Sequence, residues 1–356
     1  SRNHKSVHET NYIRIDYDPH TGKTLLNNYS ILKELGRGQY GKVRLAQDLN
    51  HNQYVAIKVL NRAGKPKLKL GSMSHEEVKI LQEVAMLRKC VDHPYLIQLN
   101  EVINDFKSRK IYLIFEFCSQ GEITWATKWT KQDYENITNT NNATDNSLAN
   151  IPLFSFEKTR TVATQLLLGL EYLHLNGIVH RDIKPANLLI TKNNEVRISD
   201  FGVSFDITEA RARSKNNRLA SLVPVSDTAA DQLIKFELSK TVGTPAFFAP
   251  ELCTMNSAYE IESSTLNYVW ALGVTLYALL FGKLPFLADN EYELIKKIPV
   301  ERIYYPDEDE KLQYKNIVND LLAVDFILLK DLLQKILVPD PQDRLSIKQI
   351  KQHPWI

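Results

Sequence analysis

Little in this chain invites covalent or metal cross-linking. Of its 356 residues only three are cysteine, Cys90, Cys118 and Cys253. Their odd number and wide spacing suggest neither a disulfide framework nor a zinc knuckle. Charge of one sign is missing too: 44 Lys and Arg stand against 42 Asp and Glu, a formal net charge of +2. That balance argues neither for nor against nucleic acid; no wide basic field is evident, and no nucleic-acid partner is expected. The short basic run Arg62, Lys65, Lys67 and Lys69 reads as a solvated loop rather than a docking site. No apolar run approaches the roughly 18–20 residues of a membrane span, and no signal-peptide pattern is present. The sequence starts without methionine and reads as a fragment whose targeting information lies elsewhere. What is there, 44% hydrophobic and 24% charged, suits a globular chain with a large core, expected in two lobes.

The densest chemistry lies in His180-Arg181-Asp182-Ile183-Lys184-Pro185-Ala186-Asn187, followed by Asp200-Phe201-Gly202. Two acids, an amide and a lysine stand at the spacing phosphoryl transfer needs: one carboxylate to align an attacking hydroxyl, and oxygen ligands for magnesium. Asp-Phe-Gly alone recurs by chance; both motifs in this order leave little room for coincidence. Gly36-Arg37-Gly38-Gln39-Tyr40-Gly41-Lys42-Val43 lies between two alternating apolar runs, Tyr29 to Leu35 and Val43 to Ala46. A glycine hairpin brings backbone amides close to phosphates because no Cβ blocks the approach, although a plain hairpin shares the pattern. Val55-Ala56-Ile57-Lys58 is a buried-strand pattern ending in a cation, and Ala249-Pro250-Glu251 closes a long segment after Asp200. The absence of a Gly-Lys-Ser/Thr phosphate loop sets aside a P-loop enzyme.

Together these motifs resemble a eukaryotic protein kinase, from about Tyr29 to Trp355. Lys184 in the catalytic loop is the serine/threonine-type residue; tyrosine kinases resemble this loop but carry alanine and arginine there. Gly243-Thr244-Pro245-Ala246-Phe247-Phe248-Ala249-Pro250-Glu251 is similar to the calcium/calmodulin-dependent protein kinase kinase and liver kinase B branch. Leu81-Gln82-Glu83-Val84-Ala85-Met86-Leu87 and Trp270-Ala271-Leu272-Gly273-Val274-Thr275-Leu276-Tyr277 point the same way. Kinases of that branch phosphorylate activation loops of other kinases, notably of the AMP-activated type. Asn-rich insertions resemble a fungal member, of the Snf-activating or bud-neck morphology kind.

The resemblance implies an α+β, bilobal fold: a small antiparallel β-sheet lobe with one main helix, and a larger, mainly helical lobe. It implies ATP and Mg2+ as cofactors, and transfer of the γ-phosphate to Ser or Thr of a protein, itself a kinase of the AMP-activated type. Roles in energy signalling, growth, the cell cycle or morphogenesis follow, with a cytoplasmic location, at the bud neck if the fungal likeness holds. The oligomeric state is left open. The competing class is a pseudokinase scaffold, against which the retained Lys58, Asp182, Asn187 and Asp200 count heavily.

Residue by residue, the likeness sets Leu35, Gly36, Arg37, Gly38, Gln39, Tyr40, Gly41, Val43, Ala56 and Leu189 around the nucleotide. Backbone groups of Glu116 and Cys118 are expected on adenine, with the gatekeeper Phe115 narrowing the back of the pocket. Glu122 matches a position that reaches ribose hydroxyls or a basic substrate residue; its plain alternative is a solvated acid at a helix start. Lys58, paired with Glu83, holds the α/β-phosphates, and Lys184 the γ-phosphate. Asn187 and Asp200 are the Mg2+ ligands. Asp182 orients the acceptor hydroxyl and takes its proton, and Thr244 bonds Asp182 and Lys184. His180 and Phe201 stack with Leu87 and Leu99 as the family's regulatory spine, and Glu251 and Arg344 form a buried ion pair.

Residues 1–28 are an extension in which Ile13, Ile15 and Tyr17 alternate, either an extra strand on the small lobe or a flexible arm. The kinase domain takes 29–356, with the small lobe at 29–117 and the large lobe at 118–356. Helices are expected near Ser74 to Arg88, with Ile80, Leu81, Val84 and Leu87 facing the core, from Ser155 to Leu175, and near Leu266 to Phe281 and Phe326 to Leu337. Insertions fall near 130–151, 206–238 and 299–319. The first is Asn-rich and expected to be mobile; the stretch from Glu209 to Asp231 is expected to be partly disordered.

Three departures from the family pattern stand out, one of them the long segment from Gly202 to Ala249 that holds the stretch from Glu209 to Asp231. Tyr268 replaces the aspartate that usually anchors the catalytic-loop backbone; either Asn267 substitutes or the local register shifts. Phe205 stands where a supporting basic residue is common, and Lys240 occupies the usual phosphothreonine position, so basal activity is expected without activation-loop phosphorylation.

Overall fold

The computed structural model describes residues 6–38, 41–62, 75–127, 151–152, 154–220, 227–254, 266–305 and 323–356. They fall in two compact units: residues 1–121 with 190–202, and residues 122–189 with 203–356. The first is a sheet with one long helix and the second is mainly helical, as an α+β kinase fold requires.

Alternating β-branched and aromatic residues build the sheet of the first unit. Its strands are β1 (His8–Thr10), β2 (Ile15–Tyr17), β3 (Thr24–Leu26), β4 (Tyr29–Gly38), β5 (Gly41–Asp48), β6 (Gln53–Asn61), β7 (Leu99–Ile103) and β8 (Lys110–Glu116). They lie in the order β1-β7-β8-β6-β5-β4-β3-β2. Every neighbouring pair is antiparallel except β1 and β7, which run parallel. The central β8 is apolar on both faces, with Ile111, Leu113 and Ile114 each at most 1% exposed. Tyr29, Val55, Ile57, Ile103, Tyr112 and Ile114 share one core cluster, on which Ile13 also packs. Burying each such side chain stabilises the fold by about 1.5–3 kcal/mol.

Strand order and chain length together dictate the shape of this sheet. β1 and β2 occupy opposite ends of the order. Laid flat, their separation would be roughly 33 Å at the usual inter-strand spacing. The five steps from Thr10 to Ile15 reach only about 17 Å. The sheet must therefore curl until its edges nearly meet, and Tyr29 of β4 indeed donates its hydroxyl to Glu101 of β7. The described residues of the N-terminal extension thus add three strands to the sheet rather than forming a flexible arm.

Helix α1 (His75–Lys89) buries Ile80, Glu83, Val84, Met86 and Leu87. Leu81, expected on that face, is 37% exposed. Ile80, Val84 and Leu87 share a stripe by i, i+4 and i, i+7 spacing, and Leu81 is turned about 100° from Ile80. Arg62 also departs from expectation. It is not solvated: its Nη1 donates to Glu77 at 3.0 Å and its side chain is 12% exposed. Lys65, Lys67 and Lys69 lie outside the described residues.

The second unit is organised on α2 (Phe156–Leu175), α3 (Ile207–Ala220), α4 (Asp227–Ser239), α5 (Asn267–Phe281), α6 (Glu291–Lys297), α7 (Ala323–Ile336) and α8 (Ile347–Lys351). Ser155 caps α2 by accepting from Lys158 N at 3.2 Å. α5 is buried on all sides, the pattern of a central core helix. Among the described residues no helix is long and apolar enough to cross a membrane. Of the stretch from Glu209 to Asp231, expected to be partly disordered, residues 221–226 lie outside the described residues and the rest is helical in α3 and α4. Apolar burial accounts for the order: Ile234 and Leu238 pack with Val179, Phe205, Ile207 and Ala210. Most of the Asn-rich insertion and of the one at 299–319 lies outside the described residues.

Candidate active site

Two groups of side chains carry the expected chemistry, one in each unit. In the first unit, β6 presents Lys58 opposite Leu113 of β8, and α1 presents Glu83 from its buried face. Lys58 Nζ donates to Glu83 Oε1 at 2.7 Å, with side chains only 15% and 7% exposed. Asp200 Oδ1 is 3.9 Å from the same Nζ, and its side chain is half exposed. Asp200 holds a left-handed backbone, φ +61°, a conformation that costs most residues energy and is common at functional positions.

Around the hairpin, Gly41 must be glycine: a Cβ there would lie 2.0 Å from the carbonyl oxygen of Val59. Gly36, Arg37 and Gly38 pair with Val43, Lys42 and Gly41, and Leu35 is exposed. Gln39 and Tyr40 lie outside the described residues. Val43 and Ala56 stand on β5 and β6, half-buried, and Leu189 is half-buried in the second unit. Glu116 ends β8, where Oε1 accepts from Arg197 Nε at 2.9 Å and from Gln98 N at 3.0 Å. Cys118 is buried, and that burial, with Glu116 nearby, pushes its thiol up to about 12. Leu87, Leu99 and Phe201 are each at most 1% exposed. Glu122 is exposed on a short strand, Gly121–Glu122, rather than at a helix start.

In the second unit the catalytic loop is tightly cross-bonded. Thr244 Oγ1 donates to Asp182 Oδ1 at 2.7 Å and accepts from Lys184 Nζ at 2.6 Å. Lys184 Nζ also lies 3.2 Å from Asp182 Oδ2. Asn187 Nδ2 donates to Asp182 Oδ2 at 2.9 Å and to the Asp182 carbonyl at 2.7 Å. His180 is 1% exposed, and its Nδ1 accepts from Asp182 N at 3.2 Å. Charge-assisted bonds of this kind orient a carboxylate firmly. Gly243, at φ +110°, allows the next segment to approach: a Cβ would stand 2.3 Å from the Arg181 carbonyl.

Arg181 carries the strongest feature that the motif alone did not reveal. Its Nε donates to Val203 O at 2.6 Å, its Nη1 to Glu237 O at 3.1 Å, and its guanidinium lies 5.5 Å from the centre of the Phe205 ring. Burial lowers its pKa, opposed by the Glu237 charge, and it stays a cation at neutral pH. The expected bracing pair is present as well. Arg344 Nη1 and Nη2 meet Glu251 Oε1 and Oε2 at 2.7 and 3.0 Å, with side chains 0% and 4% exposed.

Tyr268 is buried, its ring 5.9 Å from that of His174, and burial raises its phenol pKa. It lines a pocket with Val179, Ile183, Leu238, Phe248 and Leu252. Asn267 does not substitute for the missing aspartate, because its buried Oδ1 has no hydrogen-bond partner among the described residues.

A protein kinase domain model matches residues 29–356. The chain is 41% identical to SNF1-activating kinase 1 of Saccharomyces cerevisiae over 98% of its length and 30% of that protein. It is 40% identical to serine/threonine-protein kinase ssp1 of Schizosaccharomyces pombe, over 98% of the chain and 45% of the relative. Serine/threonine-protein kinase TOS3 of Saccharomyces cerevisiae is 36% identical over all of the chain and 58% of that protein. The chain thus spans between 30% and 58% of the length of these relatives. A family match over nearly the whole sequence, and intact charged networks in both units, lead to one conclusion: this chain belongs to the protein kinase domain family.

Proposed function

We propose that the chain is an active serine/threonine kinase that transfers the γ-phosphate of ATP to the activation loop of another kinase, of the AMP-activated type. The observation that carries the reading is the Asp182–Lys184–Thr244 network, complete at 2.6–3.2 Å. Such a network holds a carboxylate where it can orient an acceptor hydroxyl and receive its proton as the phosphorus–oxygen bond forms.

Each unit supplies donors of the kind that a nucleotide carried with magnesium calls for. Mg2+ prefers hard oxygen ligands and takes one or two protein groups besides phosphates. Asp200 offers a half-exposed carboxylate, and Asn187, whose amide nitrogen is committed to Asp182, would offer its amide oxygen. When bound, the ion neutralises charge on the phosphate oxygens. Lys58, held by Glu83, would bind the α/β-phosphates, and Lys184 would offset charge growing on the transferred group. Leu35, Gly36, Gly38, Gly41, Val43, Ala56, the backbone of Glu116 and Cys118, Glu122 and Leu189 are assigned to nucleotide binding by the same reading.

The substrate class comes from likeness: one relative is by name a SNF1-activating kinase. A cytoplasmic role in growth or energy signalling belongs to the same proposal. A pseudokinase scaffold is not favoured, since none of Lys58, Asp182, Asn187 or Asp200 is replaced. The test is phosphorylation of an AMP-activated-type kinase domain with Mg-ATP. Transfer should disappear with Lys58→Arg, and with a substrate lacking its activation-loop threonine. Undiminished labelling of that substrate would refute the assignment.

A further inference from the structure

The N-terminal strand β1 does more than extend the sheet. It lies parallel to β7, with His8, Glu9 and Thr10 opposite Glu101, Val102 and Ile103. Thr10 is 6% exposed, and its hydroxyl donates to Glu101, the same carboxylate that accepts from Tyr29. The Thr10 carbonyl accepts from Asn104 N at 2.8 Å, and Ile13 N donates to Asp105 Oδ2 at 3.3 Å. Glu9, between His8 and Thr10 on the paired strand, forms an ion pair with Arg88 in the last turn of α1. The first turn of the helix is tied separately, by Glu77 to Arg62. Glu83, the partner of Lys58, lies between the two ties.

From this arrangement we infer that the N-terminal strand positions α1, with Glu9 and Arg88 as positioning residues for the Lys58–Glu83 pair. Because β1 is anchored by main-chain and buried side-chain bonds, Glu9 is held at a fixed place on the sheet. The helix end that it holds cannot swing outward without breaking an ion pair. The segment would thus keep the glutamate turned to the lysine. This inference rests on the kinase reading for its consequence in ATP use, but its structural content is independent of activity.

Deleting residues 1–11 would confound positioning with folding, so the test is a charge swap in the full chain. Glu9→Arg and Arg88→Glu are made singly and together. Amide hydrogen exchange is followed across Val84–Lys89, with KM for ATP and kcat measured beside it. Each single reversal should speed exchange in that stretch and raise the KM for ATP about two- to fivefold, the range of a partly exposed ion pair. The double swap should recover at least half of both effects. Unchanged exchange and KM in the single variants, or a double variant as impaired as either single, would overturn the inference. A fall in melting temperature with exchange and KM intact would also overturn it, by showing a merely structural strand. Should the wild type transfer no phosphate at all, the kinase reading fails while the exchange comparison still decides this one.

Discussion

Arg181 Nη1 donates to the carbonyl oxygen of Glu237, 3.1 Å away in the last turn of α4. A helix C-terminus carries partial negative charge and unpaired carbonyls, so it is a natural partner for a buried guanidinium. Lys240, at the position where the family often carries phosphothreonine, pairs instead with Glu237. Backbone oxygens therefore meet Arg181 without any phosphate. Treatment with phosphatase should leave at least half of the basal activity, and loss of nearly all of it would contradict this account. Ile234→Asp, which puts a carboxylate into the face that docks α4, should lower kcat more than phosphatase does.

Asp182→Asn should fold and bind ATP as the wild type does. Transfer should fall by roughly 10²–10⁴-fold, the usual contribution of a positioned acid–base group. Single-turnover rates with labelled ATP measure the change. A variant within tenfold of wild type would remove Asp182 from the role given to it.

The Glu251–Arg344 pair is fully buried, so removing one partner leaves a charge without compensation. Arg344→Met should cost about 3–5 kcal/mol in denaturant unfolding. Adding Glu251→Leu should return part of that loss, because the desolvation of both charges is then avoided. Equal stability of the two variants would speak against an unpaired buried charge as the cause.

Tyr268 packs in a mostly apolar pocket. Tyr268→Phe should change stability little. Tyr268→Asp, though it installs the residue usual in the family, should destabilise by on the order of 2–5 kcal/mol, since the new carboxylate is buried. Melting curves of the two variants decide; a stabilised Tyr268→Asp protein would mean that the loop still accepts the usual anchor.

Stability should fall on the alkaline side. Burial pushes the thiols of Cys118 and Cys253 up to about 12, and raises the phenols of Tyr29, Tyr268 and Tyr277. In the unfolded chain the same groups titrate near roughly 8.5 and 10. Between the unfolded and folded values the native state binds more protons, so stability declines as pH rises. The contribution is full below about pH 8.5 and is lost progressively above it. Thermal unfolding at pH 7.5 and 10.5 should differ accordingly, and a flat profile would exclude protonated burial as a factor.

Much of the site was legible before any coordinates. Asp182, Lys184 and Asn187 lie within one short loop, so their spacing is nearly their geometry. The helical stripe of Ile80, Val84 and Leu87 was equally plain, although Leu81 was placed on the wrong side of it. Arg197 under Glu116, and the Arg181 contacts with Val203 and Glu237, left no signal, because partners distant in sequence carry no spacing rule. The two helices that overlap the stretch from Glu209 to Asp231 left little signal, for a related reason. α3 is polar in composition, and what orders the two is a small apolar face packed on Val179 and Phe205.

Local chemistry alone determined the family, the fold class and the identity of the reactive groups, since those depend on residue type within short motifs. Tertiary structure decided how the groups are held. It curled the sheet until Tyr29 met Glu101, brought the N-terminal strand beside α1, and closed α4 over Arg181. These are contacts between segments far apart in the chain, set by the burial of apolar faces, which no motif records.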